Sequence, residues 1–144
     1  MITFKTPFDD ICEHVIYDID QHGFTDIKKQ FEEEINSDYI RQCLAYGVMY
    51  GELGKVTCVN GAERYFTTPL MNVCVRFKDM CVIDNKVHAK YEILDTPNGR
   101  IVKQKIEEGY VPVFDCRYWI MKKDTDSQRL KIRTFDIVDF VKIT

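Results

Sequence analysis

The sequence predicts an α+β fold in which a mainly antiparallel sheet carries two or three helices. Two patterns predict this fold class. Apolar and polar residues alternate over residues 73–93 around the turn signal Asp84-Asn85, which is typical of a β-hairpin with one wet face. In residues 25–47 the apolar residues instead recur at the spacing of a buried helix face. Strand and helix patterns therefore occupy separate stretches of the chain, as in α+β proteins.

Length and composition limit the class of protein. With 144 residues, 45% of them apolar and 30% charged, the chain suffices for one core, so residues 1–144 are expected to form a single globular domain. The net charge of −3 favours neither nucleic acid nor a membrane surface as a partner, and no apolar run is long enough to span a bilayer. The amino terminus lacks a signal-peptide pattern. The six cysteines include no C-x-x-C pair, which favours reduced thiols in a cytosolic protein.

The first third of the chain is expected to form two short strands and then two helices. The strands are predicted at residues 2–6 and 12–17. Residues 27–35 carry one apolar stripe at helical spacing, and Ser37 is placed to cap the following helix.

Three isolated histidines, His14, His22 and His88, have no second ligand at metal spacing, so they are expected to be surface residues. No metal and no cofactor is expected.

The middle of the chain contains two irregular points. Gly51 and Gly54 predict a turn or bulge of the backbone, and a strand is expected at residues 56–60. In the strand predicted at residues 73–83, the apolar phase shifts after Asp79, which indicates a β-bulge.

Residues 92–117 organise the rest of the chain, because they read as strand, capped helix and strand. Thr96 is a suitable N-cap, and Pro97 fits the first helical position, where its missing N–H costs nothing. Gly109 is expected to end the helix. An apolar strand follows, and residues 115–117 come directly after its apolar run.

This stretch resembles the prohead proteases of tailed phages, the capsid-maturation serine proteases related to the herpesvirus assemblins. Their segment reads T-P-x-G, a short helix, a glycine and an apolar strand that ends in S-S-R-G. The first serine of that pattern is the nucleophile. Here the four positions read Asp115, Cys116, Arg117 and Tyr118.

Two further segments extend the resemblance over residues 46–141. The family segment G-E-L-G-H carries the base histidine, and here residues 51–54 read G-E-L-G and are followed by Lys55. Residues 135–138 read F-D-I-V, like the strand that follows the nucleophile in the family. The resemblance implies that the sheet curls into an assemblin-like barrel. Because assemblin relatives often dimerise, it also makes a homodimer an option.

Both catalytic positions differ from the family pattern. A carboxylate at Asp115 is a poor nucleophile for acyl transfer, and its charge would oppose a developing oxyanion. If Lys55 lies near Asp115, as the family geometry implies, the two would form an ion pair, which raises the lysine pKa and removes it as a base. The substitutions therefore predict a silenced site in which a charge pair replaces the dyad.

Other residues keep alternatives open. Cys116 is a stronger nucleophile than serine once it is a thiolate, but strand parity turns it away from Asp115 and predicts burial. Arg117 keeps the family's arginine, and either supports the end of the strand or binds an anionic group. Asp136 and Asp139 are both candidates for the family's third, acidic position, with solvated carboxylates as the equally good alternative.

The sequence therefore favours a pseudoenzyme. The first hypothesis is a catalytically degenerate prohead protease homologue that binds phage proteins (capsid, scaffold or the active protease) in the host cytoplasm. The second is an active, divergent prohead endopeptidase that uses Cys116. The third is a structural or virion-associated phage interaction protein on the same fold.

Overall fold

The computed structural model describes residues 11–54, 71–123 and 127–142, which form two antiparallel sheets and three α-helices. The first sheet has the strand order β1-β4-β3-β2, and the second pairs β5 with β6. The strands are β1 Ile11–Asp18, β2 Tyr50–Glu52, β3 Val73–Ile83, β4 Lys86–Ile93, β5 Tyr110–Lys123 and β6 Ser127–Lys142. The helices are α1 Thr25–Ile35, α2 Asp38–Tyr46 and α3 Pro97–Glu107. The predicted α+β class is confirmed.

The N-caps predicted at Ser37 and Thr96 are confirmed, whereas the C-cap of α3 is Glu108, and Gly109, which was expected to end the helix, follows it with a φ of +95°. Ser37 Oγ accepts a hydrogen bond from the Ile40 N–H, and α2 ends at Gly47, whose φ of +67° suits a residue without a Cβ. Thr96 Oγ1 accepts the Gly99 N–H at 2.9 Å and donates to the Val73 carbonyl oxygen at 2.6 Å. Thr96 therefore begins α3 and also ties it to the first sheet.

The β3–β4 hairpin also forms as the alternation predicts. Asp84 and Asn85 have φ values of 52° and 59°, as a type I′ turn requires. The register between the strands shifts between Phe77 and Asp79, which is the predicted bulge. The odd-numbered residues 87–93 are buried, whereas the even-numbered ones face outward.

The core lies between the inner face of the first sheet, α1 and the β5–β6 pair. Aromatic rings join these layers at centroid distances of 5.2 to 6.3 Å: Phe77 contacts Tyr91, Phe114 and Phe135, and Tyr91 also contacts Phe114. Because each ring meets its neighbours tilted or edge-on, the group adds directional packing to its apolar burial.

The two sheets form a bridge at one end and pack without a shared ladder at the other. Leu53 forms a parallel bridge with Ile137, and the Gly54 N–H donates to the Ile137 carbonyl oxygen at 2.7 Å. At the opposite end, the rings of His14 on β1 and Phe114 on β5 are 6.1 Å apart, yet no ladder joins β1 to β5 in the described ranges. β1 and β5 thus lie side by side without a ladder at this place, the β1/β5 seam, so the expected barrel is not closed there by hydrogen bonds. The strands predicted at residues 2–6 and 56–60 lie outside the described residues.

Gly51 allows the close approach of β2 to β6. A Cβ at this position would lie 2.4 Å from the Phe135 carbonyl oxygen and 2.9 Å from Val75 Cγ2. We expect Gly51→Ala to lower the free energy of unfolding by about 1–3 kcal/mol, since the strands would have to move apart. Denaturant titration measures this change. Gly23→Ala is the matched control, because a Cβ there meets no atom within 4 Å; equal losses in both variants would contradict the close-approach argument.

Candidate functional site

Strand β5 brings Asp115, Cys116 and Arg117 to the middle of the fold, as the sequence predicts. Register shifts in the β5–β6 pair flank this segment, one between Val113 and Phe114 and one between Arg117 and Tyr118. Such bulges change the direction of the side chains that follow. The three residues therefore lie in a short segment of β5 with its own register against β6.

Arg117 is the centre of a buried ionic network. Its Nε donates to Asp136 Oδ2 at 2.9 Å, and its Nη2 donates to Asp136 Oδ1 at 2.6 Å and to Glu52 Oε2 at 2.9 Å. The Glu52 backbone N–H also donates to Asp136 Oδ1, at 2.9 Å. Exposure of the three residues is 4% for Arg117, 3% for Asp136 and 1% for Glu52. The network thus joins β2, β5 and β6 away from solvent.

Burial and charge act against each other in this network. Burial alone would lower the pKa of Arg117, but the hydrogen bonds and charges of Asp136 and Glu52 raise it, so the guanidinium stays charged. Burial raises the pKa of Asp136, and Arg117 opposes that rise. Because the guanidinium already binds two carboxylates of its own chain, the structure favours the strand-supporting role of Arg117 over the binding of an external anion.

The two aspartates of β6 occupy different environments. Asp136 pairs in register with Asp115 and is buried, so the alternative of a solvated carboxylate is wrong for this residue. Asp139 is exposed and accepts the Phe140 backbone N–H at 2.8 Å, so for this residue the solvated alternative is correct. Of the two, Asp136 is the one that lies beside the β5 segment.

Asp115 is half-buried, and its Oδ1 accepts the backbone N–H of Cys116 at 2.9 Å. Burial raises the pKa of Tyr17 and Tyr118 and lowers that of His22, and the charge of Asp115 adds to the two rises and opposes the fall.

Two histidines expected on the surface instead pack against aromatic rings. Nε2 of His22 is hydrogen-bonded to the Tyr17 hydroxyl at 2.7 Å, and the imidazole stacks on Phe31 at a centroid distance of 4.5 Å. Nε2 of His14 is hydrogen-bonded to the Tyr91 hydroxyl at 2.8 Å. Burial lowers the pKa of both histidines, although Asp115 opposes this effect at His22. Both histidines are thus half-buried against aromatic rings rather than fully solvated.

The thiol of Cys116 lies in the core, as strand parity predicts. The residue is 8% exposed and pairs with Phe135 across the ladder. Burial raises the pKa of the thiol well above its ordinary value, and the charges of Asp115 and Asp136 add to the rise. Arg117 does not offset this effect, because its guanidinium is engaged with Asp136 and Glu52. A thiolate at Cys116 is thus strongly disfavoured.

Three further expectations concern Lys55, a metal site and a membrane-spanning segment. Lys55 lies outside the described residues, so its pairing with Asp115 stays a prediction. Within the described ranges, no group of three or more His, Cys, Asp or Glu side chains is placed to hold a metal ion. No helix in the same ranges is long and apolar enough to cross a membrane.

Glu52 is the site residue that sequence reasoning missed. It lies in the quoted G-E-L-G segment, but a single glutamate between glycines carries no local sign of burial. Its partners Arg117 and Asp136 are 65 and 84 positions away in the chain.

The comparisons with known proteins support the fold. No protein-family model matches the chain, and no curated protein matches its sequence. Among solved structures, the capsid assembly protease gp21 of bacteriophage T4 is similar, with a TM-score of 0.65 and 15% identity over 90% of this chain and 81% of that one. At this identity the similarity establishes a shared fold. The α+β fold predicted from the sequence is thus shared with a capsid assembly protease.

The buried network predicts a large effect of removing Arg117. We expect Arg117→Met to lower the free energy of unfolding by about 3–5 kcal/mol near neutral pH, because two carboxylates would stay buried without their cation. The matched control is Arg100→Met, which removes an exposed pair with Asp95 at 2.9 Å and should cost about 0–1 kcal/mol. Denaturant titration of both variants checks the difference.

The deficit of Arg117→Met should also depend on pH. Removal of Arg117 removes the group that opposes the burial-raised pKa of Asp136. A carboxyl group with a higher pKa in the folded chain favours folding at low pH, and this contribution is lost as pH rises through the folded pKa. The deficit should therefore be smaller in mildly acidic solution than at neutral pH. A small, pH-independent deficit, like that expected for Arg100→Met, would contradict the proposed importance of the network.

Proposed function

We propose that this chain is a non-catalytic homologue of the tailed-phage prohead proteases that acts by binding other phage proteins during head assembly. Its partner would be the capsid protein, the scaffold or the active protease, in the cytoplasm of the host cell. The observation that carries the proposal is the half-buried Asp115 carboxylate at the nucleophile position implied by the sequence resemblance. The shared fold with a capsid assembly protease supports the same setting.

The chemistry of the β5 segment supports a silenced site. Acyl transfer needs a nucleophile that a base can activate and a positive or dipolar environment for the oxyanion. Asp115 would form a mixed anhydride rather than a stable acyl ester, and its charge repels an oxyanion. Cys116 is buried as a neutral thiol, and Arg117 is held by two carboxylates. None of these three residues meets the requirement in its present environment.

The buried ionic network supports the proposal that the chain keeps a binding surface. The Glu52–Arg117–Asp136 network holds β2, β5 and β6 together without using Asp115. A chain that has lost the nucleophile can therefore keep the shape of the surrounding surface. Such a protein would recognise the partners of an active protease, or the protease itself, without cutting them.

An assay that reads cleavage and binding together tests the proposal. The purified chain is incubated with the scaffold and capsid proteins of its own phage, and intact-mass spectrometry reads every chain. The active protease is mixed with the purified chain separately, for the binding measurement only. We expect no new termini, and we expect a complex with at least one of these proteins by size-exclusion chromatography. The absence of cleavage together with the absence of any complex would contradict the binding role.

A matched pair of cysteine variants tests the alternative of an active endopeptidase. Cys116 is buried and Cys81 is exposed, so a thiol reagent alone could act through the wrong residue. Discrete new termini that vanish in Cys116→Ala but persist in Cys81→Ala would establish Cys116 as the nucleophile and overturn the proposal. Mass spectrometry of purified virions separates a structural virion protein from a factor that stays outside the particle.

A further inference from the structure

Two lysines converge on the ring of Tyr110 at one end of the β5–β6 pair. Lys105 lies in the last turn of α3, and its Nζ is 4.8 Å from the centroid of that ring. Lys142 is the last residue of β6, and its Nζ is 5.6 Å from the same centroid. We call these three residues the dibasic tyrosine site. The function proposed above assigns no role to any of them.

The turn after α3 and the pairing of two strands hold the dibasic tyrosine site together. The Gly109 N–H donates to the Ile106 carbonyl oxygen at 3.0 Å, and Gly109 has a φ of +95°, so the chain turns directly after the helix. Tyr110 then pairs in register with Lys142, which places the two side chains on the same face of the β5–β6 pair. The fold therefore fixes the site without the help of a ligand.

The two positive charges of the site have no acidic partner within the part of the chain that the structure describes. Neither Lys105 nor Lys142 forms an ion pair with a carboxylate in those ranges. At the end of α3, Glu107 pairs with Lys103 at 2.8 Å, and Glu108 accepts a side-chain N–H from its own helix at 3.4 Å. The tyrosine ring attracts both ammonium groups but carries no net charge, so it does not neutralise them.

Charge complementarity identifies the occupant as an anion. Lys142 is exposed, and Lys105 and Tyr110 are half-buried, so a group in solution can reach the site. An anionic group at the ring would accept hydrogen bonds from two ammonium groups and would neutralise two like charges at once.

The surroundings of the site favour a short acidic segment over a nucleic acid. The exposed carboxylates of Glu107 and Glu108 lie next to the site in the chain and would repel a long polyanion that extended past it. The net charge of −3 likewise does not attract nucleic acid. A protein segment with one or two acidic residues brings its charge to the two lysines alone.

We propose that the dibasic tyrosine site binds an acidic segment of a partner protein, which places a glutamate or aspartate carboxylate against the two ammonium groups. The proposal rests on the binding role proposed above and names the chemistry that the partner presents. The carboxylate would accept hydrogen bonds from Nζ of Lys105 and Nζ of Lys142 beside the ring of Tyr110.

A titration with short peptides tests this site directly. The probes are acetyl-Gly-Glu-Glu-Gly-amide and acetyl-Gly-Gln-Gln-Gly-amide, which has nearly the same shape but lacks the charges. NMR signals of the Tyr110 ring and of the Lys142 amide report binding. We expect saturable shifts of both signals with the glutamate peptide and none with the glutamine peptide at the same concentration. Equal responses to both peptides, or no response to either, would overturn the proposal.

Matched variants locate the contact. We expect Lys105→Gln and Lys142→Gln each to weaken binding of the glutamate peptide about fivefold, because each removes one of the two charges, whereas Lys142→Arg keeps the charge and the affinity. Lys29→Gln changes the net charge equally at an exposed position of α1 and should leave the affinity unchanged. The amide spectrum of each variant verifies its fold. A loss of affinity in Lys29→Gln equal to that in Lys142→Gln would mean a general charge effect and would reject the site.

Two further probes separate other anions from an acidic protein segment. Single-stranded oligothymidylate represents a nucleic acid, and inorganic phosphate represents a free anion, both at the ionic strength of the peptide titration. If either probe saturated the same signals at a lower concentration than the glutamate peptide, the occupant would not be a protein segment and the proposal would fail.

The peptide titration contains no phage protein, so its outcome is independent of the assay for cleavage and complex formation. A complex with a phage protein that forms equally well with the double variant Lys105→Gln and Lys142→Gln would retain the binding role and reject this site. Saturable peptide binding without any complex would retain the site and reject the binding role. Failure of one proposal is therefore distinguishable from failure of the other.

Discussion

One buried guanidinium determines how the two sheets meet. Arg117 of β5 binds Asp136 of the neighbouring strand and reaches Glu52 of the other sheet. The reach is possible because Gly51 lets β2 approach the backbone of β6 so closely that a Cβ would collide with the Phe135 carbonyl. The network and the glycine thus depend on each other: close strands bring the carboxylates to one cation, and that cation offsets the cost of burying them.

The elements that the sequence predicted best are those specified by neighbours in the chain. Three of these signals act over only a few residues. Ser37 lies three residues before the helical N–H that it caps, Pro97 occupies the first helical position, and Asp84-Asn85 adopts positive φ values. The phase shift at Asp79 is likewise visible in the alternation itself. Curling of the sheets followed only from the resemblance, because no local pattern specifies which strand edges approach each other.

The candidate site was predictable along β5 and unpredictable across strands. Strand parity places Cys116 in the core and turns it away from Asp115, an expectation that needs only the sequence of one strand. The choice between Asp136 and Asp139 depends on two register shifts against β5, which parity cannot reveal. Glu52 acquires its partners through contacts with residues 65 and 84 positions away in the chain, so a residue that looked isolated in the sequence is part of a buried network.

Asp115 and Arg117 have different hydrogen-bond partners, so a site of this kind can lose catalytic activity and keep its fold. Arg117 is bonded to other strands, whereas the Asp115 side chain accepts a hydrogen bond from the next residue's own backbone. A substitution at position 115 therefore leaves the ties between strands intact, while a substitution at position 117 removes them. Under the proposed function, selection on the fold would retain the arginine and its carboxylates, and the nucleophile position would be free to change.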